Sequence, residues 1–201
     1  SLNREEKEKV AEFLFSFYRN NGFPFPRYSD EELVQDWNKL LNINTDNIII
    51  QVAQNKILKT SARAGLEIFK HFAPHFFEAK EENILSMAEA FHNDEILMKV
   101  IRNRIGLDYK ETFAICGNML RQGFRSMRAC ATTSIFKPGV AKAIYDKLAP
   151  ENGIVYDFSC GFGQRLLGAM ASNKNLTYIG CDPWIKQIDT GNKIAKFFNF
   201  E

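Results

Sequence analysis

Apolar positions recur at helical spacing through the first two-thirds of the chain. Asn3 with Glu6 three residues on is an N-terminal capping signature, and Val10, Phe13, Leu14 and Phe17 then give an apolar stripe. The run Gly22-Phe23-Pro24-Phe25-Pro26 breaks that helix. Ser29 with Glu32 opens a second helix through Leu41, with Leu33, Trp37, Leu40 and Leu41 on one side. Residues 42–47 read as a turn. Ile48-Ile49-Ile50 could begin a strand, but Val52, Ile57 and Leu58, and later Leu66, Ile68 and Phe69, favour helices. Pro74 limits the next segment, and short helices are expected over 83–91, 94–104 and 109–117. Phe69, Phe72, Phe76 and Phe77 read as core filling rather than as base-stacking rings.

The pattern changes near Ala131-Thr132-Thr133-Ser134, where a domain boundary is expected: a helical domain over 1–134 and an α/β part over 135–201. Ile154-Val155-Tyr156 reads as a buried strand closed by Asp157, followed by a glycine-rich turn and a helix from Gln164. A second strand, Thr177 to Cys181, is closed by Asp182. Gly161 and Gly163 lack Cβ atoms, so the backbone can take positive φ and let a ligand approach closely. The amides opening the next helix would face that ligand. A carboxylate at the end of the second strand can take both ribose hydroxyls. The dinucleotide fingerprint wants a third glycine where Leu166 stands. An acid at the strand end also repels a pyrophosphate and suits a cationic ligand.

The segment Asp157-Phe158-Ser159-Cys160-Gly161-Phe162-Gly163 resembles motif I of the class I S-adenosylmethionine-dependent methyltransferases, and the DNA amino-methyltransferases in particular. Phe136-Lys137-Pro138 and the helix Gly139–Leu148 resemble the motif X segment that precedes motif I in those enzymes. The resemblance covers roughly 136–183. It departs from the family at Ser159, and at Phe158 where the family carries proline. It implies the opening βαβα of a Rossmann-like α/β methyltransferase domain, with an incomplete sheet, after a mostly α N-terminal domain. It also implies S-adenosylmethionine as cofactor. Asp157 and the Gly161/Gly163 backbone would face its methionine part and Asp182 its ribose, with Ser159 and Cys160 also among the cofactor-binding residues. Lys137 and Pro138 would flank it, and Pro183 and Trp184 would start the next helix and cover the adenine edge.

The family's catalytic Pro-Pro-aromatic loop has no counterpart, since no Pro-Pro pair occurs, so no catalytic residue is assigned. Asp182-Pro183-Trp184 is a near miss after the second strand rather than the fourth. Completing a parallel sheet takes roughly a hundred further residues. The chain is therefore expected to be a fragment, with an artificial start at Ser1-Leu2, that covers its open strands by dimerising or by packing on its own helices. The complete protein is expected to methylate a base amine of DNA. The alternative is a non-catalytic helical module that binds DNA or protein and carries a remnant βαβ unit. An RNA or small-molecule methyl acceptor is a third possibility.

Composition narrows this little. A net charge of +2 is too small to argue for nucleic acid by itself. Arg121, Arg125 and Arg128 lie at i, i+4 and i+7. On a helix they would share one face, able to meet phosphates or to sit solvated and paired with local acids. Arg102 and Arg104 lie a little earlier. The four cysteines have no zinc-like spacing and read as reduced thiols in a cytoplasm. Pro74 disturbs the pair His71 and His75, so no metal site is expected there. No apolar run is long enough to span a membrane.

Overall fold

A computed structural model describes residues 2–52, 54–58, 63–106 and 116–200. The chain is mostly helical with a small two-stranded parallel sheet. It divides into two compact units. One comprises Ser1–Pro26 and Pro74–Thr133, the other Arg27–Ala73 and Ser134–Glu201. The sequence had grouped residues 27–73 with the N-terminal helices; they cluster instead with the α/β segment. The expected helix over 109–117 lies outside the described residues except for its end.

In the first unit, α1 (Arg4–Asn21) starts at the capping box of Asn3 and Glu6 and ends at Gly22. Its buried side chains are Ala11 and Tyr18, whereas Phe13 and Phe17 are exposed, so the core stripe is rotated from the expected one. α4 (Met87–His92) begins at a third capping box, Ser86 with Glu89. α5 (Asp94–Gly106) packs against both α1 and α6 (Gly117–Ser126). The α5–α6 approach is close, since a Cβ on Gly123 would lie 2.6 Å from Val100 Cγ1. Arg104 is buried between them and donates from Nη2 to Ser126 Oγ at 2.6 Å. That places a cation at the carbonyl end of α6, where the helix dipole favours it.

In the second unit, α2 (Asp30–Leu41) starts at the Ser29–Glu32 capping box as expected. Its buried Asp36 accepts from the amides of Gly65 (3.0 Å), Glu67 (2.9 Å) and Ile68 (3.3 Å). A residue distant in sequence thus caps α3 (Leu66–Phe72), whose own N-cap glycine has no side chain to do so. Residues 49–58 form an antiparallel hairpin, β1 (Ile49–Val52) with β2 (Asn55–Leu58), where helix was expected. Ile48 packs with Val140 and Ala143 of α7 (Pro138–Leu148).

β3 (Ile154–Asp157) pairs in parallel with β4 (Thr177–Gly180), Tyr156 opposite Ile179 and Asp157 opposite Gly180. α8 (Gln164–Met170) joins the two strands, and α9 (Ile185–Phe197) follows. α7 packs on α8 because Gly168 lets them meet. A Cβ there would lie 2.4 Å from Ala141 Cβ and 2.7 Å from the Lys142 amide nitrogen. α9 reaches back to α3 and α2, with the ring of Phe197 against Phe72 and that of Phe198 stacked on Trp37 at 4.8 Å. Alternation along the strands leaves Val155 and Tyr178 partly buried. Ile154, Tyr156 and Ile179 on the opposite face are 71%, 65% and 46% exposed, so the described helices of this unit leave that face open.

Candidate functional site

The site is a strand, a bend and a helix. β3 ends at Asp157, residues 158–163 turn, and α8 begins. The ladder continues past the strands: Cys181 N–H donates to Asp157 O at 2.8 Å and Cys160 N–H to Cys181 O at 2.9 Å. This ties the bend to the segment carrying Asp182. Gly161 and Gly163 have φ of +61° and +85°, in the left-handed region that glycine enters without steric cost. The side of Gly161 where a Cβ would point is empty to 4 Å. At Gly163 a Cβ would press on Ile194 Cδ1 at 2.9 Å, so α9 closes that side.

The two acids do different work. Asp182 accepts from Gly161 N–H on Oδ2 at 3.0 Å and from Trp184 N–H on Oδ1 at 2.9 Å. A carboxylate offers about four lone-pair sites, so roughly two remain. Asp182 is only partly buried, and it can still accept from hydroxyls.

Asp157 is saturated. Arg165 donates to it side-on, Nε to Oδ2 at 2.6 Å and Nη2 to Oδ1 at 3.0 Å. Tyr178 Oη donates to Oδ2 at 2.6 Å, and Ser159 N–H to Oδ1 at 3.3 Å. Asp157, expected at the ligand, is engaged within the chain instead. All its acceptor sites are filled and its charge is balanced by Arg165.

Burial raises the Asp157 carboxyl, but the Arg165 and Tyr178 donors outweigh it and hold the group below its ordinary 3.8. Burial and the hydrogen bond to Asp157 raise Tyr178 far above its ordinary value. Burial and the Asp157 charge push Tyr145 up to about 12. Burial, with the Asp182 and Asp157 charges, pushes the Cys160 thiol up to about 11, so near neutral pH it stays protonated and is a poor nucleophile.

One prediction follows from the lowered carboxyl. The unfolded chain binds the Asp157 proton more tightly than the folded one, so stability rises with pH across this window. The contribution is complete above about 3.8 and lost as pH falls through the lowered folded value. Melting temperatures measured from pH 5 to about 2.5 should fall less steeply for Asp157→Asn than for the wild type.

The structure brings most of the expected residues together. Lys137 stands at the N-cap position of α7 without a side-chain capping bond, and Pro138 is the buried first residue, its carbonyl 2.9 Å from where a Gly168 Cβ would stand. The ring of the neighbouring Phe136 lies 5.7 Å from the Arg165 guanidinium, so the 136–138 segment adjoins the bend. Cys160 is buried, Ser159 and Pro183 are exposed, and Trp184 meets Phe162 edge-on at 6.2 Å. A cleft of about 650 Å³ runs beside β4 between α8 and α9, lined by Cys160, Gly163, Gly180 and Leu166 among others but by neither aspartate. Gln164 Nε2, next to Gly163, is buried with no hydrogen-bond partner among the described residues, a donor costly to leave idle.

Sequence reasoning missed Arg165, Tyr178, Gly168 and Gln164. Only Arg165 left a signal, as a cation eight residues after the strand-end acid.

The arginines do not form the expected face. Arg121 donates to the Pro24 carbonyl and lies over the Phe77 ring at 5.8 Å, and Arg125 lies over Phe76 at 5.7 Å. Arg128 falls past the end of α6 at φ +53°, off the helical register. Arg102 pairs with Glu8. His71 and His75 lie in different compact units. Among the described residues no group of three or more His, Cys, Asp or Glu could hold a metal ion, and no helix is long and apolar enough to cross a membrane.

The two carboxylates differ in what they can still accept. Asp182 retains acceptor capacity beside an open glycine, whereas Asp157 has none left. Comparison with protein-family models, with curated proteins and with solved structures gave no match in any of the three.

Proposed function

We propose that this chain carries the S-adenosylmethionine-binding part of a methyltransferase whose acceptor is a base amine of DNA. The observation that carries the reading is the Asp157–Gly163 bend. Its left-handed Gly161 has open space on the Cβ side, and Asp182 of the next strand is hydrogen-bonded to it. When bound, the cofactor would supply an electrophilic methyl group on a positive sulfur.

The chain's own residues bind and orient. Asp182 would accept the ribose hydroxyls with its remaining lone pairs. The Cβ-free edge at Gly161 would allow close approach, and Trp184 with Phe162 would border the base. Asp157 acts one layer back, holding Arg165 and the bend in place. The DNA acceptor rests on the sequence resemblance alone, because the arginines give it no support.

The test is calorimetric titration of S-adenosylhomocysteine. Wild type should bind, and Asp182→Ala should bind about ten- to a hundred-fold more weakly, the value of hydrogen bonds to one charged group. Equal affinity in both proteins would refute the role given to Asp182.

A further inference from the structure

We infer that Arg165 receives the carboxylate of the cofactor's amino-acid end, an inference that rests on the cofactor reading above. The guanidinium spends Nε and both Nη2 hydrogens inside the bend. Nε and Nη2 grip Asp157, and Nη2 also donates to the Ser159 carbonyl. Among the described residues the hydrogen bonds of Arg165 all come from Nε and Nη2, none from Nη1, and the side chain is 30% exposed. Two N–H groups are therefore available to an incoming acceptor. Guanidinium has no acceptor capacity, so only an electron-rich group can use them.

The mount is rigid. Asp157 is fixed by four donors, and Phe136 flanks the guanidinium plane. Such an arrangement loses little side-chain freedom on binding, which favours an anionic acceptor at Nη1. The Ser159 carbonyl on the same guanidinium places it two residues from Gly161, on the stretch of bend proposed to border the ligand.

The alternative recognition, an ammonium on Asp157, would require breaking the Arg165 pair. Of the two charged groups at an amino-acid terminus, the carboxylate is the one this site can hold with its hydrogen bonds intact.

Comparison of S-adenosylmethionine with its decarboxylated analogue by calorimetry tests this without a variant. Wild type should bind the analogue about ten- to a hundred-fold more weakly, as expected for one charge-assisted hydrogen bond. In Arg165→Gln that discrimination should fall to near unity. Should Arg165→Gln fail to fold, Arg165→Lys, which keeps a cation on Asp157 but lacks Nη1, makes the same comparison and should likewise lose the discrimination. Equal binding of both compounds by the wild type would overturn the role of Arg165 while leaving the cofactor reading intact. Binding of neither would overturn both. Discrimination that persists in Arg165→Gln would place the carboxylate elsewhere.

Discussion

Asp146→Ala is expected to lower the melting temperature by about 6–20 °C. Lys142 on α7 is almost wholly buried, and its ammonium is 2.8 Å from Asp146 Oδ2. The other oxygen of Asp146 accepts from Ser172 Oγ at 2.7 Å and from the Asn173 amide at 2.9 Å, beyond the end of α8. The carboxylate thus joins α7 to the turn before β4.

Removing it strands a buried cation together with a hydroxyl and an amide. Breaking one side of a buried ion pair costs about 3–5 kcal/mol, at about 2–4 °C per kcal/mol for a chain of this size. The Asp146 carboxyl carries the same acid signature as Asp157. Burial raises it, the Lys142, Asn173 and Ser172 donors outweigh that, and it ends below 3.8. Its stabilisation is therefore present above that value and lost below it. The double variant Lys142→Met/Asp146→Leu removes both charges and should recover most of the loss, since apolar replacement of a buried pair is often neutral. Thermal unfolding of the three proteins checks this, and a single variant as stable as the double would contradict it.

Gly168→Leu should be the second most damaging change, at about 3 kcal/mol or more. Its Cβ alone would meet Ala141 Cβ at 2.4 Å, the Lys142 amide nitrogen at 2.7 Å and the Pro138 carbonyl oxygen at 2.9 Å. Two of these atoms are backbone, so relief requires α7 and α8 to separate. Gly168→Ala meets the same clash and regains only about 1 kcal/mol from helix propensity, so it should still destabilise. Because α7 begins at Pro138 beside the bend, either variant should also weaken the proposed cofactor binding beyond its effect on folding. Gly161→Ala offers a contrast. It meets no atom within 4 Å, and its strain comes from the positive φ alone.

Local signals were legible in the sequence. The capping boxes at Asn3 and Ser29 were readable because both partners lie within four residues. The strand, the two acids and the glycines of the bend were readable for the same reason. What failed depended on contacts distant in sequence. The apolar run at 48–50 fits a strand or a buried helix equally by periodicity, and its hairpin has no Asn-Gly or Asp-Gly turn to decide it. In α1 the large Phe13 and Phe17 were preferred as core, yet Ala11 and Tyr18 are buried there. Spacing alone does not say which side of the helix meets the rest of its unit.

The site divides in the same way. The sequence shows a strand-end acid; that Asp157 turns to Arg165 and to Tyr178 on the neighbouring strand depends on the path of the bend. The empty side of Gly161 and the crowding at Gly168 look alike in the sequence, and only packing separates an open glycine from a helix-packing one.

The central claim is that the bend after β3 and the residues after β4 together border one nucleoside. Amide chemical-shift mapping during titration with S-adenosylhomocysteine tests it most directly. The account predicts saturable shifts centred on Gly161, Gly163, Asp182 and Trp184, with the amides of α1 unmoved. Shifts that never saturate, or that centre away from those residues, would contradict it.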